Sequence, residues 1–85
     1  MFIYVIRCKD NSLYTGWTDD LPKRIEAHNG GVGAKYTRGR GPVKLVYWEE
    51  LGDKGAALRR EMEIKSLTKK QKENLIKNGK GDEKT

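Results

Sequence analysis

Residues 2–17 constrain the fold more than any other stretch. Phe2-Ile3-Tyr4-Val5-Ile6-Arg7-Cys8 is apolar and β-branched, breaks at Lys9-Asp10-Asn11, and resumes as Ser12-Leu13-Tyr14-Thr15-Gly16-Trp17. Two β-forming runs around a polar break predict a hairpin. The loop length decides which side chains share a face. A two-residue Asp10-Asn11 turn would pair Lys9 with Ser12 and send Tyr4 and Tyr14 to opposite faces. A three-residue loop, with Asn11 in the left-handed region, pairs Cys8 with Ser12, Ile6 with Tyr14 and Tyr4 with Gly16. Both tyrosines then lie on one face, and Gly16 leaves room above Tyr4. The second register is the expected one. The other face carries Ile3, Val5, Leu13 and Trp17, also apolar, as a sheet packed between helices requires.

After the hairpin, Thr18-Asp19-Asp20 followed by Pro22 marks a helix start, and the helix is expected from Leu21 to Asn29, ended by Gly30. Leu21 and Ile25 fall on its core side, while Arg24 and His28, one turn apart, project to one place. Residues 30–42 form a glycine-rich basic loop without core periodicity, long enough to suggest function rather than mere connection. Val43 to Trp48 reads as a third strand. Asp53 can cap a second helix from Lys54 to Ser66, whose expected stripe is Ala57, Leu58, Glu61, Met62 and Lys65. Glu61 stands there where an apolar residue is expected. Thr68 and Gln71 form a capping box for a third helix, with Leu75 and Ile76 inward. The result is an α/β (α+β) domain of order ββαβαα over residues 1–77, with 78–85 expected as a flexible tail.

Eighty-five residues make one small domain, and no apolar run approaches a membrane span. The single cysteine, Cys8, excludes an internal disulfide and a thiolate zinc site, and no signal peptide is visible, so a cytoplasmic protein is expected. The net charge is +6 with pI near 9.6. The charge is segregated: Lys35, Arg38, Arg40 and Lys44 fall between Asn29 and Trp48 without an acid. Lys65 to Lys77 holds five lysines against Glu73. Segregation of this kind favours an anionic partner, nucleic acid first. Lys35, Arg38, Arg40 and Lys44 can contact phosphates, and Tyr36 can stack on a base.

Tyr4, Tyr14, Arg24, His28 and Glu61 form the candidate reaction site. It has no activated serine or cysteine. It has one carboxylate suited to a hard divalent cation, and an arginine suited to bidentate contact with a phosphate. Phosphodiester hydrolysis calls for a cation, a positioned water, a base and an arginine on the transition state.

These residues also carry a resemblance. The chain resembles the GIY-YIG nuclease superfamily, and most of all its small stand-alone bacterial members. Phe2-Ile3-Tyr4 stands for the first signature triplet and Tyr14-Thr15-Gly16 for the second. Ala34-Lys35-Tyr36-Thr37-Arg38-Gly39-Arg40 and Ala57-Leu58-Arg59-Arg60-Glu61 match that group in order and spacing. The resemblance spans residues 2–77 and implies a three-stranded antiparallel sheet flanked by three helices. It implies metal-dependent hydrolysis of a DNA strand, with Mg2+ or Mn2+ held by Glu61. Tyr4 would be general base, Tyr14 would order the site, and Arg24 would bind the scissile phosphate. His28 falls where other members place a histidine or tyrosine. Phe2 departs from the first glycine and Thr15 from the isoleucine of the second triplet. Trp17 stands where some repair members carry a basic residue, and Asn74 is the nearest match to a late asparagine used by several members.

The expected function is therefore a metal-dependent DNA endonuclease, acting on branched or damaged DNA in repair or recombination, with RNA as an open alternative substrate and a partner protein for targeting. The alternative is a nucleic-acid-binding module with the nuclease fold and little or no catalysis. An intact Tyr4, Arg24 and Glu61 separates the two, since a carboxylate on the inner stripe of a basic protein repels phosphate and serves a binder poorly.

Overall fold

The first strand, β1 (Phe2–Arg7), is buried without a break from Ile3 to Ile6, so both of its faces must be covered. It lies in the middle of a three-stranded antiparallel sheet of order β2-β1-β3, between β2 (Leu13–Thr18) and β3 (Lys44–Glu50). The structure, a computed structural model, describes residues 1–31, 37 and 39–79. Helix α1 (Leu21–Asn29) follows β2, and α2 (Lys54–Lys65) and α3 (Lys69–Gly79) follow β3, giving the expected order ββαβαα.

The hairpin has the odd-numbered loop. Asn11 sits at φ 71°, its N–H donates to the Cys8 carbonyl at 2.9 Å, and the Cys8 N–H donates to the Ser12 carbonyl at 2.8 Å. Tyr4 therefore pairs with Gly16 and Ile6 with Tyr14. Asn is one of the few residues that accept this left-handed position at low cost. The Asp10 carboxylate tightens the loop by accepting from the Ser12 N–H and hydroxyl.

On one sheet face Ile3, Val5 and Tyr47 pack with Ala57 and Ile64 of α2, joined by Leu75 and Ile76 of α3. On the other, Tyr4, Ile6, Cys8 and Val43 pack with Leu21 and Ile25 of α1, Tyr14, Leu45 and Trp48. In β3, Leu45 and Tyr47 would share a face by alternation alone. A bulge separates them: Val5 pairs with Tyr47 and Ile6 with Leu45, so Val46 is the extra residue.

The helix ends follow their capping residues. The Asp20 carboxylate accepts from the Lys23 N–H, with Pro22 in the first turn, and Asp53 accepts from the Ala56 N–H at 2.8 Å. Gly30 caps α1 in right-handed geometry, and Gly31, at φ 82°, is the residue that takes the left-handed turn. Thr68 and Gln71 exchange side-chain-to-backbone bonds at the start of α3. That helix continues to Gly79, two residues beyond the expected boundary.

The expected stripe of α2 needs correction. Ala57 and Ile64 are fully buried, whereas Leu58 is 36% and Met62 70% exposed. The inward line runs Ala57, Arg60 and Glu61, Ile64, so two charges occupy its middle turn. Arg60 is accommodated because the Glu49 carboxylate of β3 accepts from its Nε–H, shared between both oxygens, and from Nη2–H at 2.8–3.1 Å, while Tyr47 also donates to Glu49. This pairing ties α2 to the sheet next to Glu61. At the far end, Arg7 grips Glu73 of α3 with two bonds of 2.8 and 2.7 Å.

Candidate active site

Strand β2 is a sheet edge, and Gly16 removes the side chain that would otherwise cover Tyr4 there. A cleft of about 240 Å³ opens at this point, lined by Tyr4, Tyr14, Gly16, Trp17, Arg24, His28 and Glu61. All five residues expected to form the site thus meet in one place: two from the hairpin, two from α1 and one from α2.

Three rings form the floor. Tyr4 and His28 meet edge-on at 5.7 Å, Tyr14 and His28 at 5.5 Å, and Tyr4 and Tyr14 at 6.4 Å between centroids. Tyr4 and His28 are each 2% exposed, and the Tyr4 hydroxyl stands 2.8 Å from His28 Nε2. The other ring nitrogen, Nδ1, stands 2.8 Å from the hydroxyl of Thr37, which is 1% exposed. Hydroxyl, imidazole and hydroxyl therefore form a continuous buried chain.

Burial pushes the Tyr4 phenol well above its usual range. Tyr14 and Glu61 push the same way, and the Arg24 guanidinium opposes them. Burial, and then Arg24, lowers His28, which keeps the ring neutral and able to accept a proton at pH 7. The stability consequence has a definite sign. The unfolded ring binds a proton below about 6.5 while the folded ring resists it. The contribution is therefore complete above pH 6.5 and is lost as pH falls from there towards the lower folded value. Urea midpoints should fall between pH 8 and pH 5 by more in the wild type than in His28→Gln; equal losses would contradict a neutral buried ring.

Glu61 forms the opposite wall. Its side chain is 14% exposed, and its carboxylate lies 3.3 Å from Lys65 one turn on, the ion pair that spacing allows. Arg24 is half-buried, and among the described residues no carboxylate pairs with it. Trp17 lines the cleft, and the Lys54 ammonium of α2, which is not itself among the lining groups, lies 5.1 Å from its ring centroid.

The family model described as the GIY-YIG catalytic domain matches residues 1–74. The chain belongs to the GIY-YIG family. A UPF0213 protein of Clostridium perfringens is 63% identical over 75 residues, covering 88% of this chain and 81% of that protein. A UPF0213 protein of Haloquadratum walsbyi is 51% identical over 78 residues, covering 92% and 88%. The solution NMR structure of a UPF0213 protein from Bacillus halodurans superposes with a TM-score of 0.61 at 46% identity, covering 95% of this chain and 86% of that one. The GIY-YIG domain is a nuclease domain, and its nucleases generally use divalent metal ions.

Among the described residues no cluster of three or more His, Cys, Asp or Glu side chains is placed to hold a metal, and Glu61 is the single carboxylate lining this cleft. That donor set fits a magnesium-type ion. Such ions take oxygen ligands, keep several waters, and are commonly held by one or two carboxylates together with substrate phosphates.

Lys35, Tyr36 and Arg38 lie outside the described residues. Arg40 pairs with Asp10 of the hairpin loop at 2.6 Å, and Lys44 is exposed at the start of β3. Neither lines the cleft, and nor does Asn74, which is exposed on α3. Sequence reasoning passed over Thr37. A threonine in a polar, glycine-rich loop carries no periodic signal, and only its place beside a buried histidine distinguishes it.

Proposed function

We propose that this chain is a metal-dependent DNA endonuclease that hydrolyses a phosphodiester bond. The observation that carries the reading is the Tyr4–His28 hydrogen bond, at 2.8 Å, in one cleft with Arg24 and Glu61 on a chain of net charge +6.

Tyr4 acts as general base towards the attacking water. A free phenolate is disfavoured there, because burial raises the phenol. The relay through His28 avoids forming one: the water proton passes to the Tyr4 oxygen as the Tyr4 proton passes to His28 Nε2. The water oxygen forms its bond to phosphorus, and the bond from phosphorus to the leaving ester oxygen breaks. Solvent in the open cleft protonates the leaving oxygen, and His28 later returns its proton to solvent through Tyr4. Arg24 binds the non-bridging oxygens and offsets charge that grows in the transition state. Tyr14, half-buried against both rings, keeps Tyr4 and His28 in register and contacts the phosphate or the water. Glu61 would hold the divalent cation, Mg2+ or Mn2+, which when bound supplies Lewis-acid stabilisation of the phosphate. Lys35, Tyr36, Arg38, Arg40 and Lys44 contribute to holding DNA, with phosphate contacts from the cations. Selection among branched, nicked or damaged DNA rests with that loop, with DNA shape or with a partner protein.

A second reading, a binding module without useful catalysis, draws on the Glu61–Lys65 ion pair, in which a lysine satisfies the carboxylate. Incubation with supercoiled and branched DNA, with and without Mg2+ or Mn2+, separates the two. Metal-dependent strand cleavage is expected, and binding without cleavage under all metals would favour the second reading.

A further inference from the structure

We propose that Thr37 is a positioning residue that fixes the tautomer of His28 and with it the direction of the Tyr4–His28 hydrogen bond. His28 has a hydroxyl against each ring nitrogen, Tyr4 at Nε2 and Thr37 at Nδ1, both at 2.8 Å. A neutral imidazole carries one N–H and one lone pair. One hydroxyl must therefore donate to the ring, and the other must accept from it. The phenol is the stronger acid of the two and the better donor. Tyr4 donates to Nε2, and Nδ1–H donates to the Thr37 oxygen. With that acceptor in place, the Nε2 lone pair faces the proton it is to receive. Without it, the ring gains by moving its N–H to Nε2 and donating to Tyr4, and the relay is blocked before it starts.

Thr37 is anchored through its backbone carbonyl. The Arg40 N–H donates to the Thr37 carbonyl at 3.0 Å. Arg40 is itself fixed to the hairpin, through its ion pair with Asp10 and through the Lys9 N–H on its carbonyl at 2.8 Å. Asn29, the residue after His28, clamps the far end of the loop: its side-chain oxygen accepts from the Val43 N–H at 2.6 Å and its amide donates to the Val43 carbonyl at 3.3 Å. The same glycine-rich segment that supplies cations for DNA thus supplies the acceptor that orients the base.

The catalytic consequence rests on the endonuclease reading, but the tautomer does not, and the experiment separates them. His28 is the one histidine of the chain, so its ring resonances need no assignment among several. Long-range 1H–15N spectra of the 15N-histidine-labelled protein at neutral pH are expected to show a protonated Nδ1 and an unprotonated Nε2. Thr37→Ser is expected to keep that tautomer and the wild-type kcat. Thr37→Val is expected to reverse it and to lower kcat at least about tenfold, less than the roughly 10²–10⁴-fold of removing a general acid–base group outright, with KM unchanged. A wild-type ring protonated on Nε2, or a folded Thr37→Val that keeps the wild-type tautomer, would overturn the proposal. If Thr37→Val loses the dispersed hairpin amides, the wild-type and Thr37→Ser spectra decide alone: reversal in either overturns it. Absence of cleavage by the wild type would count against the endonuclease reading and leave the ring spectra to judge Thr37.

Discussion

Gly16→Ala should lower both stability and cleavage, although it adds a single methyl group to an edge strand. A Cβ at this position would lie 2.6 Å from the Tyr4 hydroxyl oxygen, 2.8 Å from the ring carbon that bears it and 3.2 Å from Tyr14. The Tyr4 ring cannot move aside cheaply, since it is 2% exposed and its hydroxyl is held by His28. Overpacking of this kind costs about 1–3 kcal/mol. It should appear as a lower urea midpoint at constant m-value, together with loss of cleavage as the Tyr4–His28 bond is broken. Strand β2 itself would tolerate alanine, so an unchanged midpoint with full activity would mean that Tyr4 does not sit beneath Gly16. The prediction follows from the three-residue hairpin loop, because a two-residue turn would place Gly16 away from Tyr4.

Tyr4→Phe isolates the hydroxyl. The ring and its packing against Ile6, Tyr14 and His28 remain, and only the proton path is cut. The rate should fall about 10²–10⁴-fold, the range for removal of a general acid–base group. Stability should fall by about 1–3 kcal/mol, because the buried Tyr4–His28 hydrogen bond is lost. DNA affinity should hold, since Arg24 and the basic loop are untouched. Tyr14→Phe should cost less on both counts, because Tyr14 is only half-buried. Equal rates for wild type and Tyr4→Phe would remove Tyr4 from the chemistry. A loss confined to binding would move it to the substrate-contact class.

Much of this was legible in the residues themselves, for reasons that differ from place to place. The hairpin register could be read because Asn11 is one of the few side chains that suit a left-handed loop residue, and because side-chain alternation then places Tyr4 over Gly16. The helix starts could be read because Asp20, Asp53 and the Thr68–Gln71 box satisfy exposed N–H groups locally. What depends on long-range partners could not be read. The inward line of α2 does not follow from spacing, because Arg60 is accommodated there by Glu49, a residue from another element, as well as by Glu63 of its own helix. The bulge at Val46 resolves a conflict between Leu45 and Tyr47 that exists only once β3 meets β1. Thr37 has no meaning as a residue type. It stands out only once the fold sets its hydroxyl 2.8 Å from a buried ring nitrogen.

On the proposed endonuclease reading, Glu61, a charge on the inner line of α2, is there to bring a divalent cation to the scissile phosphate. The most direct measurement is single-turnover cleavage of a branched DNA substrate as Mg2+ and then Mn2+ are titrated, for wild type and for Glu61→Ala at equal DNA occupancy. No cleavage is expected without metal, a saturable rise is expected with either ion for the wild type, and the rate should be lower by at least about 100-fold for Glu61→Ala with binding retained. Equal metal-dependent rates for the two proteins would contradict this role of Glu61.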